Sequence, residues 1–146
     1  MKLSVVAILT FIGLAFPATA GAAPSRTVQA HHGSLVLSLS VSQRGRTVFA
    51  HATLSNRGSR AFTYYGACAP PVVQIQAHDS AGHHVFGWRP PTLRCTALSQ
   101  LHLNPRAHLR IRAQFRISKS TFVYALVPQG QTGSLFSTRS ITVRPH

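Results

Sequence analysis

The chain has 146 residues, enough for one ordinary domain and too few for two. Fifteen are Lys or Arg and one is acidic, for a formal charge of +14, and charged residues make up 11% against about 25% in a typical protein. That composition excludes mechanisms that need paired carboxylates. It also asks for a cause: either a polyanionic partner drawn by a positive surface, or an acidic milieu in which carboxylates would stop stabilising the fold.

The first residues do not read as part of a domain. Lys2 supplies a positive start, Leu3 to Phe16 form an apolar run broken only by Ser4, Thr10 and Gly13, and Pro17 ends it. Ala18-Thr19-Ala20 then offers the small-x-small pattern of a signal-peptidase site. The run is shorter than the roughly 20 residues that span a bilayer as a helix. Residues 1–20 are therefore expected to be a signal peptide, with an uncleaved anchor reaching Ala23 as the alternative. Residues 21–33, which include His31 and His32, read as a flexible leader, and 34–146 as the domain. Its expected location is secreted or at the cell surface.

From residue 34 onward period-two alternation dominates, the pattern of half-buried strands. Leu35, Leu37, Leu39 and Val41 alternate with small polar residues up to a turn at Gly45. Val48, Ala50, Ala52 and Leu54 form a second strand ending at Asn56-Arg57-Gly58-Ser59, and Phe62 to Tyr65 a short third. Pro70-Pro71 marks an edge or loop. Val73, Ile75 and Ala77 form the next inward face. Asp79-Ser80-Ala81-Gly82 turns the chain back into His84 to Trp88 as a hairpin. A loop through Pro90, Pro91 and Arg94 follows, then a strand from Ala97 to Leu103 that Asn104-Pro105 breaks. Ala107, Leu109, Ile111, Ala113 and Phe115 give the cleanest alternation. Phe122 to Val127 form a further strand, Pro128 to Gly133 a flexible loop, and Phe136 to Val143 the last strand. Seven to nine short strands predict an all-β fold, an immunoglobulin-like antiparallel sandwich.

Cys68 and Cys95 are the only cysteines. In an exported chain an even, low count reads as a disulfide. Closing a loop of about 28 residues stabilises by roughly 3–4 kcal/mol in the chain-entropy model. The rival reading is a free catalytic thiol and a spare.

The order of these features resembles the BsuPI-type intracellular proteinase inhibitor domain, over about Leu35 to Val143. The resemblance rests on Asn56 with Gly58 and Ser59, on Tyr64 and Tyr65 before a cysteine, and on Asp79 and Gly82 before Val85-Phe86-Gly87-Trp88. It continues through Leu103-Asn104-Pro105 and Tyr124. Arg106 stands where the family has Gly, and Phe115 where it commonly has Trp. The resemblance implies an immunoglobulin-like fold and a non-enzymatic binding or inhibitor role. A candidate protein-binding loop is then Trp88, Arg89, Pro90, Pro91 and Arg94, tethered by the presumed disulfide and preorganised to enter a protease cleft.

Enzyme readings fail by absence. Gly-rich phosphate loops and His-Glu-x-x-His are missing, and a Ser-His-Asp triad would need Asp79, which its turn context already explains. No cofactor is expected. His31-His32 and His83-His84 are adjacent pairs, and neighbours on a strand point to opposite faces, so each pair offers one ligand at most and no metal site is expected. The strongest local pattern is the face opposite the core around residues 106–116, namely Arg106, His108, Arg110, Arg112, Gln114 and Arg116. Its guanidiniums form a candidate polyanion-binding stripe, against the alternative that an acid-poor chain must solubilise every face with Arg. The expected partner is a protein, with a protease as the candidate, or an anionic cell-surface polymer, with no small-molecule substrate, and the domain is expected to be monomeric. A structural domain adapted to acidic surroundings is the further alternative.

Overall fold

The computed structural model describes residues 24–67, 72–89, 98–129 and 133–146. Among these there are eleven strands and no helix. In chain order they are β1 (Arg26–His32), β2 (Leu35–Arg44), β3 (Thr47–Asn56), β4 (Phe62–Ala67), β5 (Gln74–Asp79), β6 (His84–Phe86), β7 (Leu98–Leu103), β8 (His108–Arg116), β9 (Thr121–Gln129), β10 (Gly133–Ser137) and β11 (Ile141–Val143). Every pairing is antiparallel.

The strands form an antiparallel sandwich. One layer has the order β1-β2-β3-β8, and the other β10-β9-β5-β6, with β11 also pairing β9. Leu37 and Leu39 of β2 and Val48, Ala50, Ala52 and Leu54 of β3 are wholly buried. They meet Val73, Ala77, Val123, Ala125 and Val127 of the second layer in one core. Alternation places these residues: every second side chain faces inward, and the positions between are mostly polar, with Val36, Phe49, Phe122 and Leu126 as exceptions. The chain leaves the first layer after β3, returns as β8, and leaves again for β9. The pairs β3–β8 and β5–β9 thus join strands distant in sequence, as in Greek-key sandwiches.

The ladder between β3 and β8 stops at Ser55↔His108 and resumes as β4–β7 at Phe62↔Leu103. Between them lies a corner held by Asn56, which is 1% exposed. Its Nδ2 donates to the carbonyls of Arg60 (2.7 Å) and Leu103 (3.0 Å), and its Oδ1 accepts from the Gly58 amide at 3.0 Å. Its backbone exchanges bonds with Ala107 and Arg106. A Cβ on Gly58 would lie 2.8 Å from that of Ser34, so the chain packs too tightly there for any larger residue.

Several expectations are corrected. Residues 26–32, expected to be flexible leader, form β1, paired with β2 along its whole length from Arg26↔Val41 to His32↔Leu35. The His32 ring stacks on Phe136 at 5.4 Å. As an edge strand β1 buries little, so its sequence carries only the weak Val28–Ala30 alternation. The single last strand is divided into β10 and β11, because Thr138 bonds Ala125 with both its amide and its hydroxyl. β9 continues through Pro128, expected in a loop, which partners Ser134. The expected signal peptide, Cys68, Cys95, Pro90, Pro91 and Arg94 lie outside the described residues.

Candidate functional site

On β8 the even positions are all exposed, while the odd ones turn toward the core. His108, Arg110, Arg112, Gln114 and Arg116 therefore form one column with side chains about 6.8 Å apart. Arg106 is not on the strand. It lies in the corner before it, with φ at 61°, its amide donating to Asn56 at 2.8 Å. The register opposes the column to Ser55, Thr53, His51, Phe49 and Thr47 on β3, and beyond these to Ser38, Ser40 and Ser42 on β2. No acid lies on this face, since the single acid, Asp79, belongs to the second layer. The only ion pair among the described residues is His83 with Asp79, at 3.0 Å.

Asp79 is a turn residue, as its context predicts. One carboxylate oxygen accepts from the amides of Ala81 (2.9 Å) and His83 (2.8 Å), and the other meets His83 Nδ1. The His83 amide, then its ring, then the Ala81 amide hold the carboxyl below its ordinary range, outweighing the opposing effect of burial. The two histidines beside it face apart. His83 is exposed, and His84 is half-buried edge-on to His78, which stacks on Tyr124. Burial, then the neighbouring Arg89 charge, then His78 push the His84 pKa down. Among the described residues no group of three potential ligands is placed to hold a metal.

Beneath the Arg column the layers part. Leu109, Ile111 and Ala113 are half-buried, and Phe115 closes one end by stacking on Phe86 of β6 at 4.8 Å. Beside that stack is a cleft of about 250 Å³ lined by Val73, Ile75, Phe86, Trp88, Ile111 and Ala113, with Arg112 at the same opening. Gly87 places Trp88 there. Its φ is 126°, and a Cβ would lie 2.2 Å from Gln76 Oε1 and 2.7 Å from the Ile75 carbonyl. The chain thus folds back over β5, where the Trp88 carbonyl accepts from Gln76 Nε2 at 3.0 Å. Arg89 donates to His84 Nδ1 at 3.1 Å. Of the predicted protein-binding loop, then, Trp88 lies in the cleft that Arg112 also lines, and Arg89 is held by His84 of β6. A larger cavity, about 510 Å³, lies at the other edge and is also basic, with Arg26, Arg144 and His146 in its lining. Neither cavity was predicted.

No protein-family model matches the chain, and no curated protein matches it. Among solved structures it is similar to β-glucosidase 3B from Thermotoga neapolitana, in complexes with glucose and with α-D-glucose. Identity is 14% in both, with TM-scores of 0.36 and 0.34, covering 83% of this chain and 17% of the glucosidase. The chain thus spans about a sixth of that enzyme's length.

Proposed function

We infer that this protein is an exported, non-enzymatic binding module that takes an anionic partner on the β8 face of its first layer. One observation carries the reading: three guanidiniums share one exposed face with hydroxyl, amide and imidazole side chains and no carboxylate. Arg oxygens-seeking geometry suits phosphate, sulfate or carboxylate groups, and hydroxyls on the flanking strands can donate to the same groups. Export is supported by Lys2, the apolar run and Ala18-Thr19-Ala20. A Cys68–Cys95 disulfide is supported by the register: Ala67 and Leu98 are Cα partners, and the cysteines follow and precede them by one and three residues.

The test is retention on immobilised heparin across a salt gradient. Arg110→Ser/Arg112→Ser should elute at lower salt, with the slope of log affinity against log salt reduced by about two. Arg139→Ser/Arg144→Ser removes the same charge from exposed positions flanking β11 and should change retention less. Equal losses from both variants would mean that net charge, and not this face, does the binding.

A second reading, the BsuPI-type inhibitor, is supported by the Asn56–Gly58 corner and by Arg106, whose φ of 61° falls where that family has Gly. It predicts slower cleavage of a macromolecular substrate by a serine protease, lost on reduction of the protein. No inhibition across a protease panel would retire it.

A further inference from the structure

β8 is the last strand of its layer: among the described residues its only ladder is with β3. An open strand edge offers a row of backbone N–H and C=O groups to other chains. The side chains along this edge define what it would accept. On the inward face Leu109, Ile111 and Ala113 are half-buried, whereas their β3 partners Leu54, Ala52 and Ala50 are wholly buried. The core is left incomplete along the edge, and the apolar cleft of Phe86, Trp88 and Val73 opens beside it. On the outward face stand His108, Arg110, Arg112 and Arg116. A second copy pairing here would bring an identical basic column alongside, and like charges opposed across a ladder repel. The charge that excludes a second copy favours an acidic strand.

We propose that the β8 edge accepts an extended segment of a partner protein by strand addition. Apolar side chains at alternate positions enter the cleft, and acidic side chains between them lie beside Arg110 and Arg112. The proposal rests on the anionic-partner reading and names the partner's class: a protein strand with alternating apolar and acidic residues. Backbone pairing supplies affinity, and the cleft and the guanidiniums supply specificity. Acids at every second position of a strand repeat about every 6.8 Å, the interval of the Arg column.

Trp88 is the only tryptophan and lines the cleft, so its emission reports on this site alone. The probe is a short capped peptide alternating leucine and glutamate, titrated into the purified protein. It should change Trp88 emission saturably. A peptide of the same composition with its leucines and glutamates in separate blocks should bind at least about tenfold more weakly, and so should the alternating peptide N-methylated along one backbone edge, because each lost backbone hydrogen bond costs about a factor of several. Arg110→Ser/Arg112→Ser should weaken the alternating peptide, and Arg139→Ser/Arg144→Ser should not.

Equal affinity for the alternating, block and N-methylated peptides would overturn strand addition, as would saturation without change in Trp88 emission. If Arg110→Ser/Arg112→Ser nevertheless weakens all three, the anionic-partner reading survives. Heparin retention without any peptide binding also overturns the proposal and points to an anionic polymer. If that variant alters neither heparin nor peptide binding, both readings fall.

Discussion

Asn56 shows how one polar side chain can fix a corner of the fold. Its amide donors meet two carbonyls from separate segments, and its oxygen meets the Gly58 amide and the Ser34 hydroxyl. Asn56→Ala would leave the buried carbonyl of Leu103 without its donor and should cost about 2–4 kcal/mol in urea unfolding. Asn56→Asp should be no better, since it replaces the donors with a charge facing two carbonyls. A loss below about 0.5 kcal/mol for both would show that the corner relaxes freely. Arg106, three residues beyond Leu103 in the same corner, has the opposite problem. At φ 61° a residue with a Cβ is strained, while Gly is not. Arg106 is exposed and its amide bond to Asn56 needs no side chain. Arg106→Gly should therefore stabilise by about 0.5–1 kcal/mol, seen as a melting temperature raised by about 2–5 °C.

Among the strands, those with a strict apolar alternation were legible in the sequence: β2 and β8 place odd-numbered apolar residues inward, and β3 its even-numbered ones, as the period requires. β1 was not, because an edge strand that buries only Val28 and Ala30 in part leaves almost no period to detect. The Arg column was legible for the same reason as β8 itself. The cleft was not, since Val73 and Ile111 come from different layers and meet only when the sheets pack. Nor does the sequence from Phe136 to Val143 announce its division, which comes from a tertiary bond: Thr138 Oγ1 accepts from the Ala125 amide at 3.0 Å, at a buried position. Thr138→Val keeps the shape and removes that acceptor, leaving a buried N–H unpaired. It should cost about 1–3 kcal/mol and lower hydrogen-exchange protection at the Ala125 amide. Unchanged protection there would mean that the division of β10 from β11 does not depend on the hydroxyl.

For the molecule as a whole, the scarcity of acids sets how stability should vary with pH. Two groups are shifted in the direction that matters on acidification. His84 titrates below its ordinary value of about 6.5, so as pH falls through that value the unfolded chain gains a proton that the folded chain resists. Stability is then full above about pH 6.5 and declines below it, until His84 protonates in the folded state as well. Asp79 also titrates below its ordinary value of about 3.9. Its contribution is present above that value and is lost as pH falls through the lower, folded-state value. Since no other side-chain carboxylate exists, chemical denaturation at fixed moderate salt should show two shallow declines, one beginning near pH 6.5 and one below about pH 4. His84→Gln should remove the upper step and Asp79→Asn the lower one, the latter at some cost at neutral pH because Asp79 also anchors its turn. The measurement weighs the acidic-habitat explanation of the composition against the ligand explanation. A fold that keeps most of its stability at pH 4 has a use for lacking acids beyond any partner. If instead stability collapses between pH 6 and 4 in both variants, repulsion within the basic surface dominates, and the positive charge is then a cost that only a bound anion offsets.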